Sequence, residues 1–272
     1  GASALPQAIP TQARNVELQP LLDRLRKLPG EVQALALEGV RRTLDYQDVA
    51  YAALYMNRVE RVQALEQQAK QGCAADIPGI NQWALTNAVV RSLALWMTFE
   101  DTIRVADLKT RSTRFARVRE EIRANPDQLF GITEFMSPRV EEIAGTLPAR
   151  LGAWVSASPR ASRGLRRWTG GKRIRTSTVS GFLLLYLLAG FRRWRRGTLR
   201  YQQENQRIED WLSRVELLAA PHYALAVELA RAQRLIKGYG ETHARGWRNF
   251  SILLSRLDNL AERTDGAEVL AR

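Results

Sequence analysis

From Leu18 onward apolar residues return at every third or fourth position, the spacing of helix faces, and strands do not alternate with helices. That pattern restricts the chain to an all-α, multi-helix bundle and leaves no parallel sheet to expect. Leu18, Leu21, Leu22, Leu25 and Leu28 form a first stripe that Pro29 and Gly30 stop. Glu31 then opens a long helical stretch toward Gln71, with Val40, Leu44, Tyr51, Tyr55, Val59 and Val62 along one side, and Gly72 and Pro78 bracket a loop. Between Gln82 and Leu108 two stripes, Val90, Leu93, Met97, Leu108 and Val89, Trp96, Phe99, Ile103, predict a central helix buried nearly all round. Further helices are expected at about 139–155, 180–200, 203–219, 222–237 and 242–262.

Two stretches depart from the helical pattern. Residues 1–20, with prolines at 6, 10 and 20, read as a linker arriving from an upstream domain, and 21–272 as the helical domain, in one or two closely packed lobes of about 21–140 and 141–272. Between Asn125, Pro126 and Ser137, Pro138, residues Phe130, Ile132 and Phe135 suit an extended segment, which would make a small two-stranded ribbon with Ile174 to Val179. The apolar run Val179 to Phe191 is shorter than the roughly 20 residues that span a bilayer, so it predicts a buried helix and no membrane span.

Charge is distributed unevenly. The chain carries 41 Lys and Arg against 28 Asp and Glu, a net +13. From Ile143 to Gln203 there is no acidic residue and there are 13 Lys and Arg, as many as the whole excess. Such a segment attracts phosphates, acidic protein faces or anionic lipid. The lone cysteine, Cys73, excludes an internal disulfide, a cluster held by this chain and a thiolate zinc site. His222 and His243 lack ligand spacing with any Cys or acidic residue, so no metal is expected.

Several polar groups stand where the pattern is apolar. Glu100, Asp101 and Arg104 fall on the predicted central helix, and Asp48 lies between Leu44 and Tyr51 on an apolar side. Buried charges must be paired, so a structural ion-pair network, with an arginine from another helix as the partner of Asp48, is the first expectation, and a proton-transferring carboxylate the second. His243 aligns with Trp247, Phe250 and Leu254 and reads as a structural histidine of that network rather than a proton donor. Arg173, Arg175, Thr176, Thr178 and Ser180, ahead of the apolar helix, are a candidate anion or CoA site, with Lys237 and Arg245 added from a second corner. A solvated loop with Ser180 or Thr178 as an ordinary N-cap competes with that reading. Gly238 suits a left-handed cap after Lys237, and the glycines there follow a helix, not a strand, so they make no dinucleotide fingerprint. Arg192, Arg193, Arg195, Arg196 and Arg200 surround Trp194, but no recognised nucleic-acid-binding module accompanies them and nucleic acid is not the expected partner.

Four strings together resemble a known family. They are Asp45 to Tyr51; Leu95, Trp96, Met97 with Phe99 to Lys109; Arg175 to Phe182; and the corner Lys237 to Gly246. In this order the chain, over about residues 20 to 260, resembles the helical C-terminal domain of the beta subunit family of indolepyruvate oxidoreductases. The resemblance implies a cytoplasmic 2-oxoacid:ferredoxin oxidoreductase complex that oxidatively decarboxylates arylpyruvates to acyl-CoA. Thiamine diphosphate, an iron-sulfur cluster and CoA are implied for the complex and none for this chain alone. The implied partners are a catalytic alpha-type subunit, an upstream oxidoreductase domain of the same chain and ferredoxin. No catalytic residue is carried over, so the expected role is an accessory, interface domain, inactive by itself. The alternative is a basic binding module for nucleic acid or an anionic surface.

Overall fold

A computed structural model of the 272-residue chain describes residues 9–72, 82–123, 132–136, 139–168, 172–175, 178–238 and 240–271. The described residues form an all-α, multi-helix structure with one two-stranded ribbon. After a 3-10 turn at Val16–Leu18 come α1 (Gln19–Lys27), α2 (Gly30–Tyr46), α3 (Val49–Gly72), α4 (Ala84–Met97), α5 (Thr102–Thr110) and α6 (Ser112–Glu121). Strand β1 (Thr133–Met136) leads to α7 (Val140–Thr146), α8 (Ala149–Ala157) and α9 (Pro159–Trp168), and β2 (Lys172–Arg175) to α10 (Val179–Gly190). A 3-10 segment, Phe191–Gly197, connects to α11 (Leu199–Ala219), followed by α12 (Tyr223–Ala232), α13 (Gly240–Ser255), α14 (Leu257–Ala261) and α15 (Gly266–Ala271).

Two compact units result, and their boundaries differ from a division near residue 140. The first joins residues 1–99 to 206–272, and the second is 100–205.

The first unit is built around α4. Helices α2, α3 and α12 pack on it, and Leu85, Val89, Val90, Leu93, Trp96 and Met97 are buried. Two tyrosines of α3 reach carbonyls of α4: Tyr51 Oη donates to Met97 O at 2.8 Å and Tyr55 Oη to Val90 O at 3.1 Å. Tyr55 can lie there because residue 39 is glycine. A Cβ on Gly39 would stand 2.2 Å from the Tyr55 hydroxyl, so any larger residue would push α2 and α3 apart. Trp96 packs against Trp211 at 5.5 Å and edge-on against Phe250 at 5.6 Å, while Trp211 Nε1 donates to Leu229 O at 3.2 Å. Large rings with their polar handle satisfied dominate such cores.

Within the second unit α5 packs on α10, and α8 packs on both α7 and α9. The ribbon pairs β1 with β2 antiparallel, Glu134 opposite Ile174 and Phe135 opposite Arg173. The second strand is Lys172–Arg175, and Val179, expected in the ribbon, opens α10. Thr178 caps α10 instead, its Oγ1 accepting from Gly181 N at 3.3 Å.

The long helices expected from periodicity are broken, and each break has a local cause. Between α2 and α3 the carboxylate of Asp48 accepts from Tyr51 N at 2.8 Å. Between α4 and α5 Asp101, extended at φ −111°, accepts from Arg104 N at 2.6 Å. Aspartate competes well for a first-turn amide, so it favours a helix start over a helix interior. The stretch 139–155 divides at Pro148, which holds Leu147 extended at ψ 159°. The helix expected to reach Lys237 ends at Ala232 and passes into a 3-10 turn, Gln233–Leu235, so Gly238, although left-handed at φ +65°, stands in the connection to α13 and is not a helix cap.

Candidate functional site

The charges expected to be buried together are distributed over both units. Asp48 and His243 belong to the first, and Glu100, Asp101 and Arg104 to the second. Glu100 is exposed, which corrects the expectation of burial: the break after Met97 turns it out of any helix face. Asp48 is half-buried as the α3 cap rather than aligned on the apolar side of one continuous helix. His243 is buried on α13 near the aromatic core.

Asp101 has the arginine partner that burial demands. Its carboxylate accepts from Arg195 Nε at 2.8 Å and Nη2 at 3.3 Å, with both side chains over nine-tenths buried. The same carboxylate caps α5, so one group fixes both the helix start and the 3-10 segment that carries Arg195. A forked, charge-assisted contact of this kind is directional as well as strong. Arg104 meets Asp107 at 2.9 Å, and Arg111 meets the same oxygen at 2.6 Å. These are ion pairs of structure.

A second buried polar centre, in the first unit, was not signalled by periodicity. Glu66 of α3 is fully buried. Its carboxylate accepts from Leu85 N at 3.2 Å, from Thr86 N at 2.9 Å, and from the hydroxyls of Thr86 and Tyr223. Trp83, at the α4 N-cap in the left-handed region (φ 54°), makes no side-chain cap bond. Glu66 therefore caps α4 from another helix, with its negative charge at the positive end of the α4 dipole. Burial, then the bond to Glu66, push the Tyr223 phenol far above its ordinary value, so it stays a neutral donor. Four donors on a fully buried carboxylate make this a structural cap. The sequence signal was available only in part: Glu66 follows Val59 and Val62 by seven and four positions, on their side of the helix.

The candidate anion site also divides. Lys237 and Arg245 are exposed in the first unit, and Thr178 and Ser180 exposed in the second. Arg173 and Arg175 lie on β2, where the backbone alone is described, and Thr176 lies outside the described residues. Of the expected cluster, then, Thr178 is seen as the N-cap of α10 and Ser180 in its first turn.

The largest departure from expectation is α10 itself. Predicted as a buried helix, it buries Leu185 alone, while Val179, Leu183, Leu184, Tyr186 and Leu187 are exposed, Leu187 by 66%. The 3-10 segment continues this surface with Phe191 and Trp194, the latter 65% exposed. Periodicity cannot detect such an outcome, because a helix apolar on all sides is expected to be covered on all sides.

Among the described residues no group of His, Cys, Asp and Glu could hold a metal ion, and no helix is long and apolar enough to cross a membrane. What fold and surface define is an all-helical protein whose buried charges serve as caps and ion pairs and whose second unit presents an apolar, arginine-flanked face. The chain belongs to a family of unknown function (DUF6537), whose model matches residues 32–256. No protein of curated function and no solved structure matches it.

Proposed function

We propose that this chain is an accessory, interface-forming domain of an indolepyruvate-type 2-oxoacid oxidoreductase, acting by binding and positioning rather than by making bonds. The exposed apolar surface of α10 within a segment free of acidic residues carries the binding half of this reading. A contiguous apolar patch is a feature of surfaces that bind. The oxidoreductase half rests on the four sequence strings and their order. In this reading a cytoplasmic complex turns arylpyruvates into acyl-CoA, with thiamine diphosphate and the iron-sulfur cluster on a catalytic alpha-type subunit. An upstream oxidoreductase domain precedes this one, and ferredoxin takes the electrons. With a single cysteine the chain cannot supply the roughly four thiolates a cluster needs, and no step of the reaction is assigned to its residues. CoA, with its several phosphate charges, fits the cations of β2, Arg173 and Arg175.

The test is affinity purification of the protein from its own cells. Co-purification of a thiamine-dependent subunit supports the reading. Binding to arbitrary nucleic acid that weakens steeply with salt, with no such subunit, replaces it with a basic nucleic-acid-binding module.

A further inference from the structure

Helix α10 has two sides of similar chemistry and opposite fate. At about 100° per residue, Val179, Leu183, Tyr186, Leu187 and Leu184 share one arc, all exposed, and Leu185 lies on the other side, fully buried. The helix has no charged residue, and Ser180 in its first turn and Tyr186 are its only side chains able to form hydrogen bonds. Past its C-terminal end the rings of Phe191 and Trp194 lie 5.5 Å apart, both half or more exposed. Basic residues flank the helix in sequence on both sides, Lys172, Arg173 and Arg175 before it and Arg192, Arg193 and Arg196 after it. The unit that contains them, residues 100–205, carries 21 Lys and Arg against 10 Asp and Glu, a net +11, whereas the first unit carries 20 against 18. An acid cancels one cation at most. Whatever pairs form inside the second unit, Asp101 with Arg195 included, a surplus of eleven positive charges is left, and the first unit has no negative excess to supply.

We propose that this unit docks on an anionic lipid surface, with α10 lying in the plane of the interface and its exposed arc in the acyl boundary. It rests on the reading of α10 as a binding surface and is independent of the oxidoreductase half of that reading. The 12 residues of the helix rise about 18 Å, well short of the roughly 30 Å of hydrocarbon in a bilayer. The exposed arc runs the length of the helix, so the helix lies along the surface instead of crossing it. Leu183, Leu184 and Leu187 are the inserted side chains, and Tyr186 and Trp194 suit headgroup depth, where amphipathic rings collect. The surplus cations meet the negative surface potential, which attracts basic residues clustered beside an apolar helix. Charge and apolar face together select this occupant. Nucleic acid would use the charge and leave the leucines bare. A protein interface makes about one hydrogen bond per 100–200 Å², and the side chains of α10 other than Ser180 and Tyr186 offer none.

Sedimentation of the full-length protein with vesicles of phosphatidylcholine alone, or containing about one-third phosphatidylserine, tests this at about 0.1 M salt. Binding to the mixed vesicles should be about tenfold tighter or more than to phosphatidylcholine. Leu184→Gln with Leu187→Gln leaves the charge unchanged and should weaken binding to the mixed vesicles by about tenfold or more, the worth of two apolar side chains kept from the acyl boundary. Leu217→Gln, at a position 75% exposed on α11 in the first unit, should leave binding unchanged. Arg193→Gln should weaken it about fivefold, one cation's share at an anionic surface. Helical circular dichroism of each variant should match that of the wild type. No binding to the mixed vesicles, equal binding to both compositions, or wild-type binding by the double leucine variant overturns the proposal. Binding to duplex nucleic acid but not to the mixed vesicles overturns it in favour of a nucleic-acid-binding module. Vesicle binding without a co-purifying thiamine-dependent subunit keeps the docking and removes the oxidoreductase reading. Co-purification of that subunit without vesicle binding does the reverse.

Discussion

Helices α4 and α10 are the two most apolar segments of the described chain, yet one is enclosed and the other largely bare. Helix α4 receives α2, α3 and α12, and even its open N-terminal amides are met by Glu66. Helix α10 packs chiefly on α5 and leaves half its circumference to solvent. Composition alone does not separate them. What separates them is polar preparation: α4 has hydroxyls and a carboxylate from neighbouring helices aimed at its backbone, whereas the bond recorded at the start of α10 comes from its own Thr178. Burial that belongs to folding brings such partners along, because backbone groups taken from water need them. The arc of α10 buries nothing polar and asks for none.

The comparison breaks most visibly at the centre of the first unit. Trp211→Ala should destabilise that unit by about 3–5 kcal/mol, the cost of emptying a large core ring, whereas Leu184→Ala on α10 should fall within about 0.5 kcal/mol of wild type. Denaturant titration of both variants measures the difference, and equal losses would mean that α10 is core after all. Next in size is Asp101→Asn, which leaves the Arg195 guanidinium buried without its counter-charge and should cost about 3 kcal/mol. The second unit reads this out if hydrogen exchange accelerates in α5 and in Phe191–Gly197 while α4 keeps its protection. Glu66→Gln should cost about 2 kcal/mol, because an amide keeps only one acceptor oxygen for four donors, and it should loosen the first turn of α4 first.

How far these features could be read in the residues depends on what kind of information each needs. Helix faces were legible because 3.6-residue spacing is local: Val89, Val90, Leu93, Trp96 and Met97 are all buried as the stripes predict. Helix ends were misjudged where a capping aspartate sits inside an apolar pattern. Asp48 and Asp101 look like buried charges when the periodicity is continued through them, and like starts when the amide three positions on is considered. That a buried Asp101 needs a counter-charge follows from its place in the pattern, but Arg195, 94 residues away, could not be picked out from the sequence. Glu66 was missed for the opposite reason, since its donors come from α4 and α12 and no local pattern announces them. The bareness of α10 was illegible in principle, as hydrophobicity states that a surface should be covered and not which chain covers it.

The smallest effect concerns the tie between α3 and α11 in the first unit. Glu209 accepts from Arg58 Nε at 2.8 Å and from Arg61 Nη2 at 3.1 Å, and Arg61 also pairs with Glu216. Burial works to raise the Glu209 pKa, but the two arginines outweigh it and hold the carboxyl below its ordinary value of 4.5. A carboxyl depressed on folding stabilises fully above its unfolded value, and that contribution is lost as the pH falls through the folded one. Stability should therefore hold down to about pH 5 and decline below it. Because Glu209 is 39% exposed, solvent screening keeps its share to a few tenths of a kcal/mol, roughly the worth of a surface pair. Glu209→Gln should flatten the decline between about pH 5 and pH 3 by that amount in thermal melts. The same measurement on Leu184→Ala, which removes no titrating group, should show no such flattening.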